Sequence, residues 1–149
     1  MNELFTELYH EYYDDVYRLT YSYTLNKEET EDSVQRTFTK LYKNINNFNN
    51  DKEYIKKWLF KVAINDVKDL FRMISKRRIV NIEDIEKIKG KEENKITLDL
   101  PKKYRILIYL YYYEGYKIKE ISELLNLKES TIKMRLKKAK ELLKIEIEG

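Results

Sequence analysis

Lys128, Ser130, Thr131, Lys133, Arg135, Lys137 and Lys138 stand close together near the C-terminus. Cations at this density neutralise phosphates, while the hydroxyls of Ser130 and Thr131 and the Arg135 guanidinium can hydrogen-bond to base edges. A second group lies earlier in the chain. Phe48, Tyr54 and Trp58, with the asparagines of the stretch around Asn49, are interleaved with Lys52, Lys56, Lys57, Lys61 and Lys68. Aromatic faces on which bases stack, set among cations that follow a backbone, are what single-stranded nucleic acid requires. Catalytic groupings are missing by comparison. His10 is the sole histidine, there is no cysteine, and no glycine-rich phosphate loop or His-Glu-x-x-His pattern occurs. The acids Glu28, Glu29, Glu31 and Asp32 suit a helix N-terminus better than a metal cage. No enzyme activity, cofactor, metal or small-molecule substrate is expected.

The elements that position the C-terminal cations can be read from Tyr116 to Lys144. Ile118, Ile121, Leu124 and Leu125 form the apolar stripe of a short helix. Asn126 interrupts it and Leu127 plugs the corner. A second helix opens at Ser130 and Thr131, with Ile132, Leu136 and Ala139 on its apolar side and the cations on the other. Two short helices at a tight bend, the second one cationic, make a helix-turn-helix that places a polar face in the DNA major groove.

The remainder is helical too. Gly and Pro number only three and one, and apolar residues recur at helical spacing. A first helix is predicted from about Asn2 to Leu25, with Leu4, Leu8, Tyr12, Val16, Leu19 and Tyr23 as its core face. Asn26 followed by Glu28 and Glu29 starts a second, carrying Val34, Phe38, Leu41, Tyr42 and Ile45 inward. Asn44 to Asp51 reads as a polar loop. A third helix, with Ile55, Trp58, Leu59, Val62, Ala63, Val67, Leu70 and Phe71 periodic, runs from about Tyr54 to Ser75 and ends in the basic tip Lys76, Arg77 and Arg78. Mixed charges and weak periodicity follow. Pro101 then marks the start of a helix over Lys102 to about Tyr113. These boundaries divide the chain into an N-terminal unit (1–78), a flexible linker (79–97) and a C-terminal unit (98–149), an all-α protein of two small helical domains.

Charge is distributed unevenly. Residues 1–35 carry nine acids against two bases, residues 36–78 twelve bases against four acids, and residues 98–149 twelve bases against eight acids. Two separate basic blocks point to two contacts with a polyanion. The acidic N-terminus does not resemble a signal peptide and no uncharged run reaches membrane-spanning length, so a cytoplasmic location without membrane insertion is expected.

The two binding features stand in a familiar order. The chain resembles a bacterial RNA polymerase sigma factor of the extracytoplasmic-function type, which has only regions two and four. The segment EDSVQRTFTKLYKNI is similar to the part of region two that docks on the beta-prime clamp helices, with Asp32, Gln35 and Phe38 at its typical positions. WLFKVAINDVKDLFRMISKRR resembles the promoter-melting segment through Trp58, Leu59, Ala63, Asn65, Asp69 and Arg72. Leu100, Pro101, Arg105, Glu120, Ile121, Leu125, Thr131, Ile132, Lys133, Arg135, Leu136 and Ala139 match region four. The resemblance implies a subunit that binds core RNA polymerase through the clamp helices and the beta flap. Region four would read the minus-thirty-five element through Lys128, Ser130, Thr131, Lys133, Arg135, Lys137 and Lys138. Region two would open the minus-ten element through Phe48, Asn49, Lys56, Trp58, Lys61, Asn65, Lys68 and Arg72, the loop around Phe48 receiving a flipped base. An anti-sigma factor is an expected partner. Arg36 and Met134 depart from the family pattern, which has an acid or small polar residue at the first and a small residue at the second.

Three alternatives stand beside this reading. One is a dimeric, stand-alone helix-turn-helix regulator, and another is a polymerase-binding inhibitor. The third, within the family, is a specialised sigma factor for toxin or bacteriocin genes of AT-rich bacteria, and heavy use of Lys, Asn, Ile and Tyr points to an AT-rich genome.

Overall fold

The computed structural model describes residues 3–76 and 100–148, and all of its regular structure there is helical. Six α-helices follow one another: α1 (Glu3–Thr24), α2 (Lys27–Asn44), α3 (Lys52–Lys76), α4 (Lys102–Ile108), α5 (Ile118–Leu125) and α6 (Glu129–Glu148). The expected linker, 79–97, lies outside the described residues, as do Arg77 and Arg78 of the basic tip.

Helices α1, α2 and α3 pack on one another as a bundle. Asn26 caps α2, its side-chain oxygen accepting from the Glu29 N–H at 2.9 Å, with Glu28 and Glu29 over the positive end of the helix dipole. The inward stripes are those the periodicity predicts: Leu8, Val16 and Leu19 from α1, Val34, Phe38 and Leu41 from α2, and Ile55, Leu59, Ala63 and Val67 from α3 are all buried. Tyr42 departs from the expectation. It is 57% exposed, at the end of α2, where its ring meets Phe5 edge-on. The Asn-rich stretch is partly ordered: Ile45–Asn47 forms a 3₁₀ turn that buries Ile45 and leads into Phe48.

In the C-terminal half, α4 continues through Tyr109–Tyr113 as a π turn. Gly115 follows at φ 74°, a conformation that disfavours any side chain. The bend between α5 and α6 is closed by Asn126 in the left-handed region (φ 55°), with the N–H groups of Asn126 and Leu127 both directed to the Ser122 carbonyl. Asparagine tolerates this conformation better than a branched residue.

Both expected helical units are present, and they are not separate. One contiguous apolar core runs from Leu8 and Phe38 through Phe60 and Ile64 to Leu107, Leu110, Ile121, Ile132 and Leu136. Helix α4 packs on α1, and α5 packs on α3.

Candidate nucleic-acid interface

On α3, the residues Tyr54, Trp58, Lys61, Asn65, Lys68 and Arg72 are spaced by three, four or seven. At about 100° per residue they fall on one stripe along the helix. Lys61, Asn65 and Arg72 are exposed, and the last pairs with Asp69 at 3.3 Å. Phe48 delivers the loop to the N-terminal end of this stripe. Its ring meets Trp58 edge-on at 4.9 Å and Tyr54 at 6.2 Å, with exposed Asn49 beside it. Trp58 and Phe48 are half-buried, so each is held by packing yet keeps a face toward solvent. The stripe is therefore aromatic at its N-terminal end and polar and cationic beyond it.

Two of the expected contacts are otherwise engaged. Lys56 lies nearly opposite the stripe, and its ammonium pairs with Glu114 at 2.7 Å and Asp15 at 3.7 Å. Burial works against its charge, but the hydrogen bond to Glu114 together with the charges of Glu114, Asp15 and Glu53 outweighs it and holds the ammonium above its ordinary pKa. Lys68 sits on the edge of the stripe and donates to the Leu125 carbonyl at 3.0 Å. Burial, then the charges of Arg135 and Arg72, push its pKa down. Lys57, also expected to follow a backbone, pairs with Glu120 at 2.6 Å. The C-terminal half thus lays carboxylates and a helix-end carbonyl over the basic helix. Periodicity could not show this, because it carries no information on which helices meet.

The tie between the halves also includes Arg105. Its guanidinium is buried and donates to the carbonyls of Ser22 (2.7 Å), Tyr23 (2.8 Å) and Leu100. The first two are carbonyls at the C-terminal end of α1, where backbone acceptors lack helical partners and the dipole favours a cation. Burial lowers the Arg105 pKa to about 10, so the group stays charged at neutral pH. Nearby, the Tyr109 hydroxyl donates to Glu114 at 2.8 Å.

On α6, Ile132, Leu136 and Ala139 are buried against the rest of the C-terminal half, and Ser130, Lys133, Lys137 and Lys138 are exposed, as is Lys128 just before the helix. Thr131 and Arg135 are half-buried, on the flank between the core stripe and the outer face. Of the three side chains expected to reach base edges, only Ser130 lies on the outermost ridge of this arrangement. Met134 occupies that ridge as well, 66% exposed.

Among the expected clamp contacts, Asp32 and Gln35 are exposed on α2. Phe38 is 2% exposed, its ring 4.9 Å from Tyr9 and 6.2 Å from Tyr13. It therefore shapes the surface from beneath, as the floor of a groove lined also by Phe5, Tyr9, Gln35, Thr39 and Tyr42. Arg36 has a structural explanation: it holds Asp66 of α3 with two hydrogen bonds of 2.9 Å, joining α2 to α3.

Comparison with known families decides the assignment. Residues 8–78 match the family described as sigma-70 region 2, and residues 97–143 match sigma-70 region 4. The chain belongs to the sigma-70 family. This sigma factor is 32% identical over 139 residues to the RNA polymerase sigma factor SigV of Bacillus subtilis, across 88% of this chain and 83% of the relative. It is 33% identical to the ECF RNA polymerase sigma factor SigM of the same organism, across 93% and 91%. It shares its fold with the sigma factor RpoE of Bartonella quintana, solved with the anti-sigma factor NepR (TM-score 0.78, 18% identity, 99% of this chain and 98% of that one). CnrH, solved with the cytosolic domain of CnrY, also shares the fold (TM-score 0.67, 22% identity, 97% and 87%). As a sigma factor, the protein binds core RNA polymerase and promoter DNA and directs promoter-specific transcription initiation. Its family is one of initiation factors, not of enzymes. No helix among the described residues is long and apolar enough to cross a membrane.

Proposed function

We propose that the two halves divide the work of initiation as follows. Residues 1–78 hold the polymerase clamp through Asp32 and Gln35 and the groove floored by Phe38, and they open the minus-ten element along the α3 stripe. Residues 98–149 touch the beta flap and place α6 in the major groove of the minus-thirty-five element, and residues 79–97 link them. The observation that carries this reading is the α3 stripe. Its aromatic end at Phe48, Tyr54 and Trp58 offers stacking surface for an unpaired base, and the exposed Lys61, Asn65 and Arg72 continue along the path of a single strand. The protein acts in the cytoplasm and has no catalytic activity of its own.

An anti-sigma factor is a fitting partner, since both solved relatives were captured with proteins bound. A stand-alone regulator needs no clamp surface and no strand-stacking stripe, and both units here match sigma regions. The deciding experiment is genome-wide run-off transcription with purified core polymerase. A restricted set of start sites, lost on Trp58→Ala but not on exposed-surface changes elsewhere on α1, supports the division of labour. Initiation at no site, or initiation indifferent to the α3 stripe, refutes it.

A further inference from the structure

The outer ridge of α6 is cationic and polar apart from one side chain. Counting about 100° per residue from the buried stripe of Ile132, Leu136 and Ala139, the opposite side of the helix is occupied by Ser130, Met134, Lys137 and Glu141. Met134 lies almost diametrically across from the core stripe and is 66% exposed, the most exposed of the large apolar residues among those described. Ser130 is one turn before it, Lys137 about one turn after it, and Lys133 on its shoulder. These positions belong to the N-terminal half of α6, the part of a recognition helix that approaches base edges.

Packing does not account for this residue. It makes no contribution to the core, and a polar side chain at the same place would keep the helix soluble at no cost. Methionine differs from its neighbours in being long, unbranched and apolar, with a polarisable thioether that adapts to irregular surfaces. In the major groove the apolar feature available to such a side chain is the C5-methyl group of thymine. The other groups on the base edges are hydrogen-bond donors and acceptors that methionine cannot satisfy. Lys137 on one flank of Met134 and Lys138 on the other, both exposed, fit the phosphates on either side, which holds the ridge against the groove floor.

We propose that Met134 is a specificity-determining residue of this sigma factor, reading a thymine of the minus-thirty-five element through its methyl group. The inference rests on the proposed placement of α6 in that element. Burying one methyl against an apolar chain corresponds to roughly a fourfold change in affinity. Discrimination at this base pair therefore comes from apolar contact, and it survives salt that weakens the phosphate contacts.

The test uses holoenzyme assembled from core polymerase and the full chain, on a promoter found by run-off transcription. Each thymine of the minus-thirty-five element, on both strands, is replaced singly by deoxyuridine, which removes the methyl and leaves base pairing intact. Wild type is expected to lose roughly fourfold in occupancy at one thymine, or at two adjacent ones. Met134→Ala should bind the thymine and deoxyuridine templates alike at that position, and Met134→Leu should restore part of the difference. Because the side chain is exposed, both variants should keep the wild-type circular dichroism and melting temperature. Wild-type indifference to every deoxyuridine overturns the proposal, as does a Met134→Ala protein with the wild-type deoxyuridine profile. Failure of holoenzyme to protect any minus-thirty-five element overturns the placement of α6 instead, which separates the two readings.

Discussion

The ammonium of Lys56 lies 2.7 Å from the Glu114 carboxylate, joining the helix that carries the aromatic and basic stripe to the turn that leads into the helix-turn-helix. Glu114 is almost fully buried at its side chain (6% exposed) and Lys56 is 19% exposed, so the pair is shielded from solvent screening. With Lys57–Glu120 and Lys68 on the Leu125 carbonyl, it holds the two halves closed over one side of α3. On the proposed division of labour the two halves reach separate promoter elements, and these contacts are expected to part. The chain has no cysteine, so Lys57→Cys with Glu120→Cys gives a unique site for a short cleavable bis-maleimide. The cross-linked protein should fail to support initiation with core polymerase, and cleavage of the linker should restore it. Full activity of the linked form would show that the closed contacts persist during initiation.

Removal of the Arg105 guanidinium exposes the importance of its three carbonyl partners. In Arg105→Met the carbonyls of Ser22, Tyr23 and Leu100 remain buried without that donor, and hydrogen bonds from a charged group are lost. A loss of about 2–4 kcal/mol is expected in denaturant melts. Arg105→Lys should recover only part of it, because an ammonium cannot reproduce the planar fork that reaches separate acceptors. A loss below half a kilocalorie (~0.5 kcal/mol) would mean that solvent satisfies these carbonyls.

Acid should loosen the contact between α3 and α5. The Glu120 carboxylate accepts from Lys57 and from the Lys117 backbone N–H at 3.0 Å, and these bonds hold its pKa below the ordinary 4.5. The ionised form is thus favoured by folding. Its contribution is complete above that ordinary value and disappears as pH falls through the lower folded value. Since both partners are partly solvated, the effect is small, on the order of 0.5 kcal/mol. Wild type should be more stable than Glu120→Gln at pH 7, and the difference should close below about pH 4. A difference unchanged from pH 7 to 3 would contradict this.

Tyr116 and Gly115 are adjacent and should respond in opposite directions. The Tyr116 hydroxyl is buried with no hydrogen-bond partner, while its ring packs edge-on against Phe60. Tyr116→Phe removes an unsatisfied polar atom and should be neutral or stabilising by up to about 1 kcal/mol. Gly115 has open space around a would-be Cβ but a φ of 74°. Gly115→Ala should therefore cost about 1–2 kcal/mol through the backbone alone. Calorimetric melts of the two variants would distinguish these signs.

Much of this protein is legible along the chain because it depends on local spacing. The stripes of Leu8, Val16 and Leu19, of Ile55, Leu59 and Ala63, and of Ile132, Leu136 and Ala139 are set by the 3.6-residue turn, and each is buried as read. The helix-turn-helix bend at Asn126 and the cap at Asn26 follow from side chains acting within three or four residues. The order of the two units, and with it the family, is likewise written in the sequence.

What neighbours across the chain decide could not be read that way. Tyr42 has the spacing of a core residue, yet among the described residues no helix covers its position, and it stands in a surface groove with Phe5. Lys56 has the composition of a DNA contact, but Glu114, 58 residues away, has taken its charge. Arg36, a departure from the family pattern, proves to hold Asp66. Periodicity determines which face of a helix is apolar. Only the packed structure determines what that face, and the charges beside it, will meet, because those pairings arise between residues whose separation in sequence carries no signal of their contact.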